Sequence, residues 1–496
     1  MTGVPAAGDG WGLITYSTIL LSVPLKLFSV FLPESFQFFG LWTLANFGLQ
    51  GFFAERVFCR LGLRETERVL GAVSILIAPV FIFRIQMTHL DLAAQWLILA
   101  ALLIYASEGD PHLSRKVYLL NVIALLVAVY LFVMVFLITL AALARPLLTS
   151  GDNLNKYQIF VRRVGFLGAI SIITFWLSGY LSYQDSSRGV GFFRLNAIAF
   201  FNPRYLPSES FSQILDKVPF FSNRTFFVYE GEGFGYLGII GVLGVAVLLF
   251  SFRKWCNRRN WRFFTPVVSV AVVLFAIALS DRVAFVRREI QLPIPQMLID
   301  ARQVFRAATR FSWVAYYLLL VLGWIAICQV ARRVRVTTVA LPLILAIGVV
   351  DQWGGLTNSR DVVLGERRPS SFQSVEWQTY ADTASKMYLV PTFDLQSDEN
   401  PPVAEVWLTN SRWADLIAFG AEQQLATNFA YSPRPVTRQV ESANAQLSEM
   451  LEQGKIPRDS ILFFALESDW LAASKSVQLG DISKQLDGYF IIVTKG

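Results

Sequence analysis

The feature that most constrains this chain is a succession of long apolar runs that begins near Phe36, recurs as far as Trp353 and then stops. The hydrocarbon core of a bilayer is about 30 Å thick, so a helix crosses it with about 20 apolar residues. Runs of that order, separated by short charged loops, do not belong to a soluble core. Composition agrees, with 54% of the 496 residues hydrophobic and only 16% charged. The expected architecture is a mainly α membrane protein: a polytopic helical bundle of about ten helices over residues 1–353, then a soluble extracytoplasmic α/β domain over 354–496. The segment Leu13–Leu32 is interrupted by Pro24 and Lys26, so it either spans or lies at the interface. No basic region or small-residue cleavage site marks a cleaved signal peptide at the start.

The net charge of +7 does not point to nucleic acid. Lys and Arg gather in short loops, as membrane insertion favours on the cytoplasmic side. Three such clusters stand out: Arg56, Arg60, Arg64 and Arg68; Arg253, Lys254, Arg258, Arg259 and Arg262; and Arg332, Arg333 and Arg335. For the first two to share a side, Val117–Leu143 has to be a hairpin of two short helices turning near Tyr130. Gln86–Asp91, Ser182–Gly231, Ser280–Arg310 and everything after Trp353 then face outward. The three cysteines, Cys59, Cys256 and Cys328, fall in or beside cytoplasmic segments, which agrees with an oxidising outer compartment. With two histidines, His89 and His112, far apart, no zinc-type cluster is expected. The sequence requires no cofactor and leaves a divalent cation open. From residue 354 on, the apolar runs shorten to strand length in "KMYLVPTF", "EVWLT", "ILFFAL" and "YFIIVTK", alternating with helical stretches such as "RQVESANAQLSEMLEQ". Strands spaced by helices, without a glycine-rich phosphate loop, read as a binding or capping domain.

Three outward segments carry residues capable of chemistry. In "QMTHLDLAAQW", Thr88, Asp91 and Gln95 would share one helical face. Thr88 is expected to cap that helix, with Asp91 either in its first turn or acting as a general base. His89 is the weaker candidate. In "RQVFRAATRF", Arg302, Arg306 and Arg310 recur every four residues, so a helix would align three guanidiniums suited to phosphate oxygens. Snorkelling to headgroups is the alternative, but outward positive charge runs against the insertion preference. In "VYEGEGFGYLG", Glu230 and Glu232 sit among glycines that allow a ligand close to the backbone; they either position an acceptor or complement a helix dipole.

The order of "PESFQFFGLW", "THLDLAAQWLILAALLIY", "RLNAIAFFNP", "YEGEGFGYLG", "ALSDRVAF" and "VFRAATRFSWVAYYLLL" resembles a bacterial membrane family of unknown function with the general character of GT-C glycosyltransferases. The resemblance runs from about Tyr16 through the membrane domain, and more loosely into the tail. It implies an inner-membrane enzyme that takes a sugar from a polyprenyl-phosphate carrier and passes it to an envelope glycan or lipid on the outer face. It also implies that His89, Glu232, Arg306 and Arg310 occupy polar family positions; where the family pattern has a second histidine, this chain has Gln95. On that reading Arg306 and Arg310, helped by Arg302, hold phosphate. Glu232 or Asp91 is the base, with Glu232 preferred because glycines surround it, and Glu230 and His89 contact substrate. GT-C enzymes usually carry their base on a loop after a first membrane helix, and only Asp9 precedes the matching region here. The expectation is a start placed too far downstream, a remnant, or a base from elsewhere. The competing functions are a non-catalytic lipid-glycan transporter or assembly partner and, further off, a glycan polymerase or ligase.

Overall fold

The structure is a computed structural model that describes residues 18–33, 36–107, 110–149, 154–180, 195–206, 209–218, 230–255, 258–286, 288–295, 305, 307–364, 370–391, 412–428 and 437–495. Described residues up to Leu364 form one compact unit and those from Ser370 onward another.

The first unit opens with α1 (Ile19–Leu27), nine residues with Pro24 inside, followed by α2 (Phe39–Arg60). α2 is apolar outside and polar inside: Leu41 and Leu44 are exposed while Trp42, Asn46 and Gln50 are buried. That inversion suits a helix whose outer face meets lipid and whose polar groups find partners within the bundle. Gly62, at φ +84°, supplies the left-handed residue that ends it. Next come α3 (Glu65–Leu76) and α4 (Pro79–Gln86), with Pro79 at the first position of α4, where a missing N–H costs nothing. α5 (Trp96–Ala106) is buried along almost its whole length.

A helix break stands at the turn expected near Tyr130, but the second arm is not short: Val129–Leu147 is long and apolar enough to span by itself. α6 (Leu113–Val127) and α7 (Val129–Thr149) break at the extended Ala128, and Asn121 Nδ2 donates to Thr139 Oγ1 across the pair at 2.9 Å. α8 (Leu154–Leu177), α9 (Gly238–Trp255), α10 (Arg258–Leu279) and α11 (Trp313–Arg333) follow. α9 and α11 approach backbone to backbone: a Cβ added at Gly323 would lie 3.0 Å from the Gly244 backbone. α12 (Thr337–Asp351) bends by 54° into α13 (Trp353–Leu364), which packs on α4 and belongs with the first unit. Two small antiparallel hairpins lie in the connections, β1 (Arg204–Leu206) with β2 (Glu209–Ser210), and β3 (Arg282–Phe285) with β4 (Arg288–Gln291).

Among the described residues four helical stretches are long and apolar enough to cross a membrane, Glu65–Gln86, Val129–Leu147, Leu154–Leu177 and Ala308–Arg333. The bent α12–α13 pair makes a fifth if counted as one span. These mark a multi-pass membrane protein, with fewer full-length spans than the ten or so expected. Among the described residues the apolar stretches Trp96–Ala106, Gly238–Ser251 and Phe263–Leu279 are shorter than a full span, and α2 carries its polar stripe plus Glu55 and Arg56. Two of the three basic clusters do come together. Arg332 forms an ion pair with the buried Glu67, beside Arg64 and Arg68, and the Trp324 indole donates to the Glu67 carbonyl at 2.9 Å.

The second unit is a five-stranded mixed sheet in the order β6-β5-β7-β9-β8, from β5 (Lys386–Val390), β6 (Ala426–Thr427), β7 (Ser460–Phe464), β8 (Ile482–Leu486) and β9 (Tyr489–Thr494). β5 pairs in parallel with β6 and β7, whereas β9 runs antiparallel to β7 and β8. α14 (Glu376–Thr383), α15 (Arg412–Glu422), α16 (Thr437–Glu452) and α17 (Glu467–Ser474) complete it. Three of the four expected strands are β5, β7 and β9; the fourth, "EVWLT", lies outside the described residues. β7 is buried along its whole length, because Phe463 packs with Trp377, Phe419 and Tyr489 on one face and Phe464 with Ile492 on the other.

Candidate functional site

Three segments far apart in sequence meet at the end of the bundle where α4 stops. Seven residues of α4 are buried, Arg84 among them. Its guanidinium lies between the Phe83 and Trp313 rings, with Cζ 5.3 and 5.2 Å from their centroids. A charge placed there demands a partner, and Glu232 supplies it. Arg84 Nη1 donates to Glu232 Oε2 at 2.9 Å and Nη2 to the Glu232 carbonyl at 2.9 Å. Glu232 is carried by the 3-10 turn Glu230–Gly233. A second 3-10 turn, Ala308–Ser312, brings Arg310, whose Nη2 and Nε donate to the same Oε2 at 3.1 and 3.3 Å. Thr309 Oγ1 donates to the Glu232 carbonyl at 3.2 Å, and Arg310 Cζ lies 4.7 Å from the Tyr130 ring centroid. Arg84 is sealed in at 1% side-chain exposure, whereas Arg310 reaches the surface at 14%.

His89 joins the cluster because of how α4 ends. Thr88 takes a left-handed φ of +55°, its N–H bonds the Ile85 carbonyl and the His89 N–H bonds the Arg84 carbonyl. This is a Schellman closure with threonine in the position usually held by glycine. It leaves His89 Nδ1 3.2 Å from Arg84 Nη1 and 4.0 Å from Glu232 Oε1. Thr88 therefore ends the preceding helix instead of capping the next one, and residues 87–95 run as successive turns until α5 begins at Trp96. The expected single helical face of Thr88, Asp91 and Gln95 does not form. Gln95 is buried and accepts from the Tyr317 hydroxyl.

Burial and charge set the proton affinities. Burial, helped by the Arg84 and Arg310 charges, pushes His89 down to about 4, so its ring is neutral at pH 7. Burial alone would raise Glu232, but the Arg310 and Arg84 charges hold its carboxyl well below the usual carboxylate range. For half-buried Asp91 the balance reverses: burial raises the carboxyl, and Arg310 and Arg84 offset that only in part.

Glu232, Asp91, His89 and Arg310 are thus brought together as a cluster. Arg302 and Arg306 lie outside the described residues, as does the Glu230 side chain. Sequence reasoning passed over Arg84 and Tyr130. Arg84 had a signal, being a lone arginine inside "LIAPVFIFRIQ"-type apolar sequence, where an intramembrane charge implies a partner and a purpose. Tyr130 had none, since nothing local says which helix end will cover Arg310. Among the described residues no three His, Cys, Asp or Glu side chains gather as a metal site.

Residues 14–353 match the model of a family described as a domain of unknown function (DUF6311), and residues 376–494 match the model described as the DUF6311 C-terminal domain. No curated protein and no solved structure matches the chain.

Proposed function

We propose that this chain, which belongs to the DUF6311 family, is a multi-pass inner-membrane glycosyltransferase of the GT-C type. It would take a sugar from a polyprenyl-phosphate donor and pass it to a cell-envelope glycan or lipid on the outer face, with the C-terminal unit on the same side. The observation that carries the reading is the meeting of Arg84, Arg310, Glu232, His89 and Asp91 at one end of an apolar bundle. A lipid-linked phosphate keeps its tail in hydrocarbon and presents its head where the helices end. A guanidinium there that is mostly wrapped in protein, with one edge open, meets it with little competing water.

In this scheme Arg310 receives the donor phosphate. Glu232 is a poor base, because two guanidiniums hold it ionised; its part is to keep the buried Arg84 compensated and Arg310 oriented. Asp91 is the better base, since burial raises its basicity. It takes the proton from the acceptor hydroxyl, whose oxygen forms the new bond to the anomeric carbon. The bond from that carbon to the phosphate oxygen breaks, and its electron pair leaves on the carrier phosphate, opposite Arg310. Neutral His89 is left to hydrogen-bond a sugar hydroxyl.

The test compares envelope glycans by mass spectrometry in the parent, a deletion strain and an Arg310→Ala strain that still makes folded protein. Loss of the same modification from both altered strains is expected. Identical glycans in parent and deletion strain under several growth conditions would sink the transferase reading. Sugar transfer by the purified protein from a polyprenyl-phosphate sugar separates an enzyme from a lipid-glycan transporter.

A further inference from the structure

Trp42, Asn46 and Gln50 are four residues apart on α2, so they share one face over about 12 Å of helix. All three are buried. Polar groups among membrane helices are tolerated when they are hydrogen-bonded, and the partners of this stripe are specific. Trp42 Nε1 donates to the Leu90 carbonyl at 2.9 Å, and Asn46 Nδ2 donates to the same carbonyl at 3.2 Å. Asn46 Oδ1 in turn accepts from Trp96 Nε1 at 2.9 Å. Gln50 Nε2 donates at 2.7 Å to the Tyr317 hydroxyl, which donates on to Gln95. The irregular segment between α4 and α5 is thereby held at both ends: at Leu90 by two side chains from one distant helix, and at Gln95 and Trp96 by the rest of the same network.

We infer that Trp42 and Asn46 are positioning residues for Asp91, fixing the peptide from which its carboxylate projects by gripping the carbonyl of the residue before it. Simple adhesion of α2 to α5 would need bonds between those two helices alone, yet two of the donors converge on a single loop carbonyl. The loop has no regular backbone ladder of its own. Without that grip, its turn hydrogen bonds and the backbone N–H groups of residues 91 and 92, which donate to the Asp91 carboxylate, are what remain to define where residue 91 points. The charged and titratable groups around Asp91 are Arg310 and Arg84, which reach it electrostatically, and Glu232 and His89 in the same cluster. Loosening the Leu90 peptide admits water to a carboxyl whose proton affinity is raised by burial, and that affinity falls toward its ordinary value.

The inference rests on Asp91 being the base, but the carboxyl can be read without any transfer reaction. The full chain in detergent micelles is treated with dicyclohexylcarbodiimide, which reacts with protonated carboxyls, across a pH series. Labelling of Asp91 is followed by peptide mass spectrometry. Trp42→Phe and Asn46→Leu should each lower the labelling midpoint by about half a pH unit or more. Trp324→Phe is the control, since it removes an equally buried indole donor to the Glu67 carbonyl in a different part of the bundle; its midpoint should equal that of the parent. Where transfer is measurable, the two variants should lose about tenfold in kcat at unchanged acceptor KM. If Trp42→Phe does not fold, Asn46→Leu carries the test, and a parental midpoint in whichever variant folds overturns the inference. A moved midpoint in a protein that transfers no sugar supports the positioning role while counting against the transferase reading.

Discussion

Replacing Glu232 by glutamine tests the physical core of the site. In the parent, Oε2 of Glu232 takes Arg84 Nη1 at 2.9 Å and Arg310 Nη2 at 3.1 Å. Arg310 reaches solvent and survives the loss, but Arg84, at 1% side-chain exposure, is left as a buried cation with neutral acceptors only. Breaking one side of a buried ion pair costs about 3–5 kcal/mol. The Glu232 carbonyl and His89 Nδ1 still accept from Arg84, which places the expected loss at the lower end, about 3 kcal/mol. That is roughly two decades in the ratio of folded to unfolded protein. Removing both charges in Arg84→Met/Glu232→Gln should restore most of it, because no buried ion is then left uncompensated. Denaturant titration in detergent, read by tryptophan fluorescence, measures all three proteins. A Glu232→Gln variant within about 0.5 kcal/mol of the parent, or a double variant as unstable as the two single losses added, would refute the buried-pair argument.

Other outcomes follow from the same geometry. His89 is held near 4 against an ordinary value of 6.5, so the unfolded chain binds more protons between those values. Its contribution is complete above pH 6.5 and drains away as pH falls toward 4, to a total of ~3 kcal/mol. His89→Gln should flatten that window in a stability-versus-pH series, and an unchanged slope would count against a buried neutral ring. Gly323→Ala pushes a Cβ to 3.0 Å from the Gly244 backbone and should cost ~1–3 kcal/mol. Gly48→Ala meets nothing within 4 Å and should be neutral or stabilising, so equal melting points would exclude a glycine-mediated α9–α11 contact. Thr88→Gly relieves a left-handed threonine at φ +55° and should stabilise by about 1 kcal/mol; a loss would show that the side chain does more than occupy a strained position.

Much of the candidate site could be read before any coordinates. Asp91, Glu232 and Arg310 attract notice because acidic and basic side chains stand at the edges of apolar runs, where each has an electrostatic cost to justify. The break between α6 and α7 follows from charge asymmetry alone, since the basic clusters share a side only if Val117–Leu143 turns back; the full-span length of the second arm does not. The capping role of Thr88 did not follow. A Thr-x-x-Asp pattern ahead of apolar residues reads as a helix start, yet a left-handed turn at Thr88 satisfies the last carbonyls of α4 first. Local pattern cannot say which of two neighbouring helices claims a shared residue. β8 was likewise passed over, because "ISKQL" is too polar to signal a strand until β9 pairs with it.

What the sequence by itself determined is the class of molecule: apolar run length against bilayer thickness demands a multi-pass bundle. The end of those runs at Trp353 announces a different, mixed α/β unit, which begins only beyond α13 and not at residue 354. Those properties are sums over local composition, so no long-range contact is needed to read them. Which polar residues meet was decided only by tertiary structure. Arg84 and Glu232 are 148 positions apart, and Glu232 and Arg310 a further 78. Their pairing depends on where three helix ends converge, and the proton affinities of Glu232 and Asp91 diverge because one carboxylate sits between both guanidiniums and the other is merely buried near them.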